Sequence, residues 1–358
     1  MKIALLNLQY DNNYGGNLQR YALMTILHRL GHDVTHINLR ANHIRTPLYK
    51  RVLQFAWRIK LKIFNNYQGS LIPEYRTQQA YLNSCKITDV FYDRYIRHTK
   101  PIFRKCDLKK YDGFDAYIVG SDQVWRKEYA SHHDLSTFFF DFLPDDCNAR
   151  KIAYGVSFGI DEDVLTTEDL NQLSPLYEKF QAVSVREEGA LKLLKKYGWK
   201  NPAASLVLDP TLLLNQADYI HLFQEGQTYK SPGDLFCYIL DGSEEKELII
   251  ERTSNEYNLH PFFITNKNKN ASIEQWLRSF YDAKHVITDS YHGVVFSLIF
   301  NKPFTLIRNK ERGNSRFSSL FEVIGKTDGV RDFDWDRINT RIGQWRVKSM
   351  TFLSSALE

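Results

Sequence analysis

Short apolar segments alternate with longer helical patterns along most of this chain, and this alternation limits the folds open to it. The apolar segments fall at residues 2–8, 34–39, 116–120, 152–159, 182–185 and 205–210, and again at 235–240, 261–265, 285–288 and 304–308. Patterns typical of helices occupy residues 17–30, 167–180, 189–197, 243–257, 273–282 and 291–300. Parallel strands are joined by helices and covered on both faces, so their sequences are almost continuously apolar. The alternation therefore predicts an α/β fold with parallel sheets.

The two series of strands are separated by residues 224–234, a segment of Gly, Pro and polar residues that is typical of a linker. A chain of 358 residues also exceeds what a single hydrophobic core usually supports. We therefore predict two Rossmann-like domains, an N-terminal domain over residues 1–222 and a C-terminal domain over residues 223–330. Residues 331–358 are expected to form a helix that crosses back to the first domain.

The composition, with 43% hydrophobic and 25% charged residues, is typical of a globular protein rather than a disordered one. The N-terminal apolar run is too short for a signal peptide, and no stretch approaches the ~18 apolar residues of a membrane span. Cys85, Cys106, Cys147 and Cys237 lack the spacing of a zinc site or a disulfide framework. These features predict a cytoplasmic, reduced location.

The net charge of +5 is unevenly distributed. No acidic residue lies between Asp33 and Glu74, whereas seven cations do: Arg40, Arg45, Lys50, Arg51, Arg58, Lys60 and Lys62. Within this segment, residues 48–64 combine apolar side chains at helical spacing with basic ones. Such a helix either contacts an anionic membrane, which would place the protein at the inner face of that membrane, or is an ordinary domain helix with a solvated basic face.

Ligands of open parallel sheets bind outside the carboxyl ends of the strands. The predicted strands are followed by small residues and hydrogen-bonding side chains: Gly15, Gly16 and Asn17; Ser121, Asp122, Gln123 and Trp125; Ser157; Arg186; Asp209; Ser290 and Gly293; and Arg308. Two such edges facing one another would form a cleft between the domains. Residues 13–17 either start a helix that binds a phosphate or form a tight turn in which Asn17 is the N-cap.

Two of these positions have a structural and a functional interpretation. An Asx turn explains Asp122 alone, but Gln123 and Trp125 beside it favour contact with a sugar. Arg186 either pairs with the neighbouring Glu187 or Glu188, or binds a carboxylate or phosphate of a ligand. The sequence leaves both interpretations of Arg186 open.

The segment "ITDSYHGVVFSLIFNKPF", residues 287–304, begins and ends as core but is interrupted by polar residues. His292 falls in the first turn of a predicted helix, with Asp289 or Ser290 as its cap, where an imidazole suits acid or base catalysis. The basic stretch that follows carries Arg308, Lys310, Arg312 and Arg316, and is either a solvated face or a clamp on an anionic ligand. The "SHHD" segment at 131–134 lacks a third metal ligand, so we interpret it as a loop.

Five segments, in this order, resemble the polysaccharide pyruvyl transferase family: "NYGGNLQRYAL", "YIVGSDQVWR", "SVREEGALKLLKKYG", "VLDPTLLL" and "ITDSYHGVVFSLIFNKPF". The resemblance extends from Lys2 to about Leu320. It implies two Rossmann-like domains arranged as in GT-B glycosyltransferases. It also implies transfer of a pyruvyl group from phosphoenolpyruvate to a sugar diol, forming a pyruvate ketal and phosphate without a metal or organic cofactor.

The resemblance ties His292 and Arg186 to the phosphoenolpyruvate donor. Better-studied branches of the family carry an Arg two residues before this His, where this chain has Ser290. We therefore expect other cations, among Arg308, Arg312 and Arg316, to contribute to donor binding. We predict His292 and Asp122 as catalytic residues, and Gly15, Gly16, Asn17, Ser121, Gln123, Trp125, Ser157, Arg186, Ser290, Gly293, Arg308, Arg312 and Arg316 as substrate-binding residues.

The predicted partners are phosphoenolpyruvate and a glycan or lipid-linked sugar acceptor, with peripheral membrane contact and no nucleic acid. Two alternative functions share the predicted fold, because a fold does not determine a reaction. One is a GT-B glycosyltransferase that uses a nucleotide sugar, and the other is an inactive glycan-binding protein. Release of phosphate from phosphoenolpyruvate, or of nucleotide from a nucleotide sugar, distinguishes the three.

Overall fold

A computed structural model describes residues 1–130, 132–160, 162–264, 271–308, 315–325 and 332–358. The strands are β1 Lys2–Leu6, β2 Asp33–His36, β3 Ala116–Val119, β4 Arg150–Val156, β5 Ala182–Val185, β6 Ala204–Leu206, β7 Leu235–Tyr238, β8 Pro261–Phe263, β9 His285–Thr288 and β10 Phe304–Leu306. The α-helices are α1 Tyr14–Arg29, α2 Leu48–Phe64, α3 Pro73–Tyr95, α4 Thr167–Tyr177, α5 Glu188–Lys196, α6 Gln216–Glu225, α7 Glu244–Tyr257, α8 Ile273–Asp282, α9 Tyr291–Ile299, α10 Ser315–Ile324 and α11 Trp335–Leu357. Short 3-10 helices occupy Lys105–Lys110, Leu135–Phe139 and Pro210–Leu213.

The strands form two parallel sheets, which confirms the predicted fold class. The first sheet has the order β2-β1-β3-β4-β5-β6, and the second has the order β10-β9-β7-β8. In both sheets the strand that comes first in the chain has the second strand on one side and the third and fourth strands on the other. The direction in which strands are added to the sheet therefore reverses between β1 and β3 in the first sheet and between β7 and β9 in the second. Such switch points are where open α/β sheets bind ligands.

Apolar strand residues on alternate faces explain why the first sheet is covered on both sides. One face of β1 and β3 contributes Ile3, Leu5, Ala116 and Ile118 to one hydrophobic core, and the other contributes Ala4, Leu6, Tyr117 and Val119 to a second. The first of these cores continues into the second sheet through Phe236 and Val286. The two sheets therefore share a buried core beneath the cleft that separates their edges.

The start of α1 joins the two halves. Tyr14 packs on Trp276 of α8 with ring centroids 5.5 Å apart, and its hydroxyl donates to the Ala271 carbonyl at 2.7 Å. Helix α1 begins three residues earlier than Asn17, because the Asn13 side chain accepts a hydrogen bond from the Gly16 amide and caps it. The prediction that Asn17 is the N-cap is therefore wrong.

Helix α11 returns to the first sheet. The Ser349 hydroxyl accepts a hydrogen bond from the Leu208 amide at 2.9 Å, and Arg346 donates to the carbonyls of Leu212 and Leu214 at 3.0 and 3.1 Å. Both acceptor carbonyls follow β6, so the C-terminal helix covers the far end of the first sheet. None of the helices in the described residues is long and apolar enough to cross a membrane.

Candidate active site

A cavity of about 490 Å³ lies between the two switch points. From the first sheet it is lined by Asp11, Gly15, Gly16 and Arg20 after β1, and by Asp122, Gln123 and Arg126 after β3. The second sheet contributes Tyr238 at the end of β7, Leu240 after it, and Asp289, Ser290, Tyr291 and His292 after β9; Arg316 and Phe317 of α10 also line the cavity. The cavity therefore occupies the place where both sheets are expected to bind a ligand.

His292 lies where the N-termini of α1 and α9 meet. A β-carbon on Gly15 would overlap the Nδ1 edge of the His292 ring, so the missing side chain of Gly15 lets the two helices approach. The other ring nitrogen, Nε2, is buried without a hydrogen bond within the described residues and lies 3.9 Å from Asp209 Oδ2. The negative charge of Asp209 favours a proton on Nε2, which leaves Nδ1 as the basic nitrogen on the Gly15 side.

Burial sets the protonation state of His292. It lowers the pKa of the imidazole below its ordinary value, against the opposing influence of the Asp209 and Asp122 carboxylates. A histidine with a lowered pKa is neutral near pH 7. His292 is therefore suited to accept a proton at the start of a reaction rather than to donate one.

Arg186 does not present its guanidinium to the cavity. Its side chain is 1% exposed, and it donates to Asp209 Oδ2 at 2.8 Å and to Asp122 Oδ1 at 2.7 Å, with Glu187 Oε2 3.5 Å from Nε. Burial alone would lower the pKa of this guanidinium, but the carboxylates of Asp122 and Asp209 raise it above its ordinary value. Arg186 therefore does not line the cavity, because the carboxylates of Asp122 and Asp209 already occupy its side chain, and its contact with the donor stays a prediction that this geometry does not favour.

Asp122 lines the cavity and is held in place by Arg186. Its backbone φ is 78°, in the left-handed region where Asp is one of the tolerated residues. Burial raises the pKa of this carboxyl, but the charges of Arg186 and His292 lower it, and the pKa lies below its ordinary value. Asp122 is therefore an anion at neutral pH, which suits charge stabilisation or hydroxyl binding rather than proton donation.

Asp289 and Ser290 build the loop that carries His292. The carboxylate of Asp289 accepts from the Leu240 and Asp241 amides at 2.8 and 3.2 Å and from Lys246 Nζ at 2.7 Å. Ser290 is the N-cap of α9, because its hydroxyl accepts from the Gly293 amide. Gly293 is required for close packing, since a β-carbon there would overlap the Thr288 side chain.

Several predicted contact residues lie away from the cavity. Trp125 is fully buried and stacks on Phe139 with centroids 4.9 Å apart, so it does not line the cavity where its contact with a sugar was predicted. Asn17, Ser121 and Ser157, which were also predicted to bind substrate, do not line the cavity, and their side chains are fully buried and hydrogen-bonded within the protein. Arg308 and Gly293 do not line the cavity, and Arg312 lies outside the described residues.

The structure thus brings together His292, Asp122, Gly15, Gly16, Gln123, Ser290 and Arg316 from the predicted set. Sequence reasoning missed Arg20, Arg126 and Tyr291 as lining residues, and it treated Asp209 only as the residue after a strand. Arg20 follows Gly16 by four positions, so both lie on one face of α1. That spacing is a signal that could have identified Arg20 from the sequence.

Two parallel sheets with a polar, arginine-bearing cleft at their switch points define an α/β protein suited to an anionic ligand. The chain belongs to the polysaccharide pyruvyl transferase family, a family of transferases of polysaccharide biosynthesis, whose sequence profile matches residues 13–311. No curated protein matches the chain at a significant level.

Several solved structures are similar to this chain. UDP-GlcNAc 2-epimerase from Methanocaldococcus jannaschii is 12% identical over 98% of this chain and 100% of that one, with a TM-score of 0.44. UDP-N-acetylglucosamine 2-epimerase from Rickettsia bellii is 11% identical over 99% of this chain and 96% of that one, with a TM-score of 0.48. The E. coli heptosyltransferase WaaC with ADP is 11% identical over 85% of this chain and 86% of that one, with a TM-score of 0.36.

Proposed function

We propose that this protein transfers a pyruvyl group from phosphoenolpyruvate to two hydroxyl groups of a sugar in a polysaccharide precursor, forming a pyruvate ketal and phosphate. The observation that carries the proposal is His292, an imidazole with a lowered pKa in a cleft that also contains two helix N-termini and several arginines. Family membership supplies the class of reaction. The donor, the acceptor and the residue roles are our proposal.

The cleft offers complementary surfaces to the two substrates. Phosphoenolpyruvate carries a carboxylate and a phosphate, and helix N-termini and guanidinium groups bind both. The N-termini of α1 and α9 and the side chain of Arg316 lie around the cavity. The carboxylate of Asp122 and the amide of Gln123 stand at the first sheet's edge of the cavity, where they suit the hydroxyl groups of a sugar.

The reaction requires a proton to move twice. In the first step a sugar hydroxyl attacks C2 of phosphoenolpyruvate, its proton passes to His292, and C3 of the enol takes a proton to become a methyl group. In the second step the other hydroxyl attacks C2, the C–O bond to phosphate breaks, and the second proton leaves with phosphate or through His292. A single neutral histidine can perform the first transfer by accepting the hydroxyl proton and then protonating C3 as the imidazolium.

Thermal stability tests the donor. Saturating phosphoenolpyruvate should raise the melting temperature by mass action, whereas a nucleoside diphosphate should not. Assays with phosphoenolpyruvate or with nucleotide sugars should show phosphate release from the former only. Stabilisation by a nucleoside diphosphate with no effect of phosphoenolpyruvate would instead support a glycosyltransferase.

We also propose that α2 rests on an anionic lipid surface, which suits a lipid-linked sugar acceptor. No residue of α2 is buried, and its exposed side chains include Leu48, Tyr49, Val52, Leu53, Trp57, Ile63 and Phe64. An ion pair joins α2 to α3, since Arg58 donates to both carboxylate oxygens of Glu74 at 2.6 and 3.0 Å. The outward face thus combines apolar side chains with the exposed cations Lys50, Lys60 and Lys62, a composition that suits an anionic membrane surface.

Vesicle binding tests this contact. The protein should co-sediment with phosphatidylglycerol vesicles, more strongly at low salt and weakly with phosphatidylcholine. Trp57→Glu should abolish binding, while Val347→Glu, a change at an equally exposed apolar residue of α11, should not. Absence of binding to phosphatidylglycerol would contradict the proposal, and a dimer that Trp57→Glu dissociates would show that a second copy covers α2.

A further inference from the structure

Arg20 is a buried cation beside the cavity. It is 2% exposed and lines the cleft, although it lies in the middle of α1 and was not expected in the site. One terminal nitrogen donates to the Leu8 carbonyl at 2.9 Å and the other donates to Asn17 Oδ1 at 3.3 Å. Its Nε is buried without a hydrogen bond in the described residues. Every hydrogen bond of this guanidinium therefore goes to a neutral oxygen.

Two neighbouring arginines in the same region are paired with carboxylates. Arg186 contacts Asp122 and Asp209, and Arg126 pairs with Glu128 at 3.1 Å. No ion pair joins Arg20 to a carboxylate within the described residues. A buried charge without a counter-ion is costly, so such groups are normally paired or serve to bind an ion. Arg20 thus has the properties of a side chain that binds an anionic ligand.

The position of Arg20 also favours an anion. A terminal nitrogen of its guanidinium lies 3.6 Å from the point where a Gly16 β-carbon would be, in the first turn of α1. The N-terminus of a helix of this length carries a partial positive charge and favours phosphate groups. The absence of a side chain at Gly16 leaves room for a ligand to approach both features.

We propose that Arg20 and the N-terminus of α1 bind the phosphate group of the donor and retain it as the leaving phosphate. This inference rests on the proposed function. It also predicts that inorganic phosphate, the product, binds the free protein at the same place. Arg20 is then a donor-binding residue, and His292 remains the group that moves protons.

Inorganic phosphate and phosphoenolpyruvate are the probes. Each should raise the melting temperature of the wild type and of Arg29→Met, a matched change at a half-exposed arginine of the same helix. Neither should stabilise Arg20→Met to the same degree. In turnover assays Arg20→Met should raise KM for phosphoenolpyruvate about 10- to 100-fold and weaken product inhibition by phosphate in parallel, with a smaller change in kcat.

Several outcomes separate this inference from the proposed function. Equal stabilisation of the wild type and Arg20→Met by phosphoenolpyruvate would overturn the role of Arg20 while leaving the donor intact. No effect of phosphoenolpyruvate on the wild type would overturn the donor itself. If Arg20→Met does not fold, Arg20→Lys replaces it, because a single ammonium keeps the charge but loses the guanidinium geometry. An unchanged KM in Arg20→Lys would then contradict the proposal.

Discussion

The two switch points place a carboxylate after the third strand of each sheet, yet the two carboxylates differ in role. Asp289 is fully buried, and its oxygens are taken up by the amides of Leu240 and Asp241 and by Lys246. Asp122 also lines the cavity, but it keeps 18% of its side chain exposed and is anchored through Arg186. Equivalent positions in two similar sheets therefore differ, because the carboxylate of Asp289 is occupied by hydrogen bonds within its own loop whereas that of Asp122 is partly open to the cavity.

The comparison extends to the groups that each edge contributes. The second sheet supplies His292, the group suited to move a proton, while the first sheet supplies the charges around it. These charges come from Arg186, Asp122 and Asp209, which all follow strands of the first sheet. Asp209 and Asp122 influence the pKa of His292 across the cleft. The reactive group and its electrostatic control thus come from different sheets. The predictions below test this division.

The largest effect is expected for His292→Ala. Loss of a positioned acid or base should lower kcat by about 10² to 10⁴, with the melting temperature close to that of the wild type. His221→Ala, at an exposed histidine of α6, is the control and should retain turnover. Near-normal turnover of His292→Ala together with a much lower melting temperature would make this histidine structural.

Arg186→Met should act chiefly on stability. It leaves the buried carboxylates of Asp122 and Asp209 without their counter-ion, and breaking a buried pair from one side costs about 3 to 5 kcal/mol. Arg97→Met removes an exposed ion pair with Asp33 and should cost about 0 to 1 kcal/mol. Urea titrations of both variants measure the difference. Similar free energies of unfolding for the two would contradict the structural role of Arg186.

Gly15→Ala tests the contact between the two halves. The new β-carbon would overlap the His292 ring and displace it, and a misplaced catalytic group can cost roughly 10²-fold in rate. Gly343→Ala, in α11, meets no atom within 4 Å and should leave kcat unchanged. Steady-state kinetics of the two variants provide the comparison. A wild-type kcat in Gly15→Ala would show that catalysis does not depend on the placement of the His292 ring against Gly15.

The smallest expected effect is on pH dependence. The lowered pKa of His292 means that the neutral form, and hence kcat, should persist below the ordinary histidine pKa of about 6.5. Because the folded pKa is depressed, the stability linked to this group is complete above pH 6.5 and is lost as pH falls through the folded pKa. Asp122→Asn removes a charge that raises this pKa, so the acid limb should move to lower pH. A shift to higher pH would contradict the assignment.

Local sequence patterns predicted the fold better than the site. The predicted bounds of α8 and β9 coincide with those of the structure. Burial of one helix face, or of both strand faces, produces a pattern of apolar residues that neighbouring positions in the sequence display. Helices α3 and α6 were not predicted. Helix α3 has apolar residues too widely spaced for a clear stripe, since only Gln78, Cys85, Thr88, Phe91 and Tyr92 are buried.

The site depended on contacts that a sequence does not display. Arg186 was predicted to bind a ligand, but its partner Asp122 lies 64 positions away. Trp125 has the residue type of a sugar platform, yet it is enclosed by aromatic rings such as Phe139 and Phe158. His292 and Gly15 were both predicted, each from its place after a strand, because strand ends are a property of the topology. The contact between them was not predicted.

The measurement that tests the central claim most directly is the fate of phosphoenolpyruvate. Phosphorus NMR should follow its conversion to inorganic phosphate in the presence of sugars that offer adjacent or 4,6-related hydroxyl pairs, while mass spectrometry of the sugar measures the gain of C₃H₂O₂ expected for a pyruvate ketal. Wild-type protein should produce both signals in equal amounts with at least one such sugar, and His292→Ala should produce neither at a comparable rate. Phosphate release without a ketal, or equal ketal formation by His292→Ala, would contradict the account.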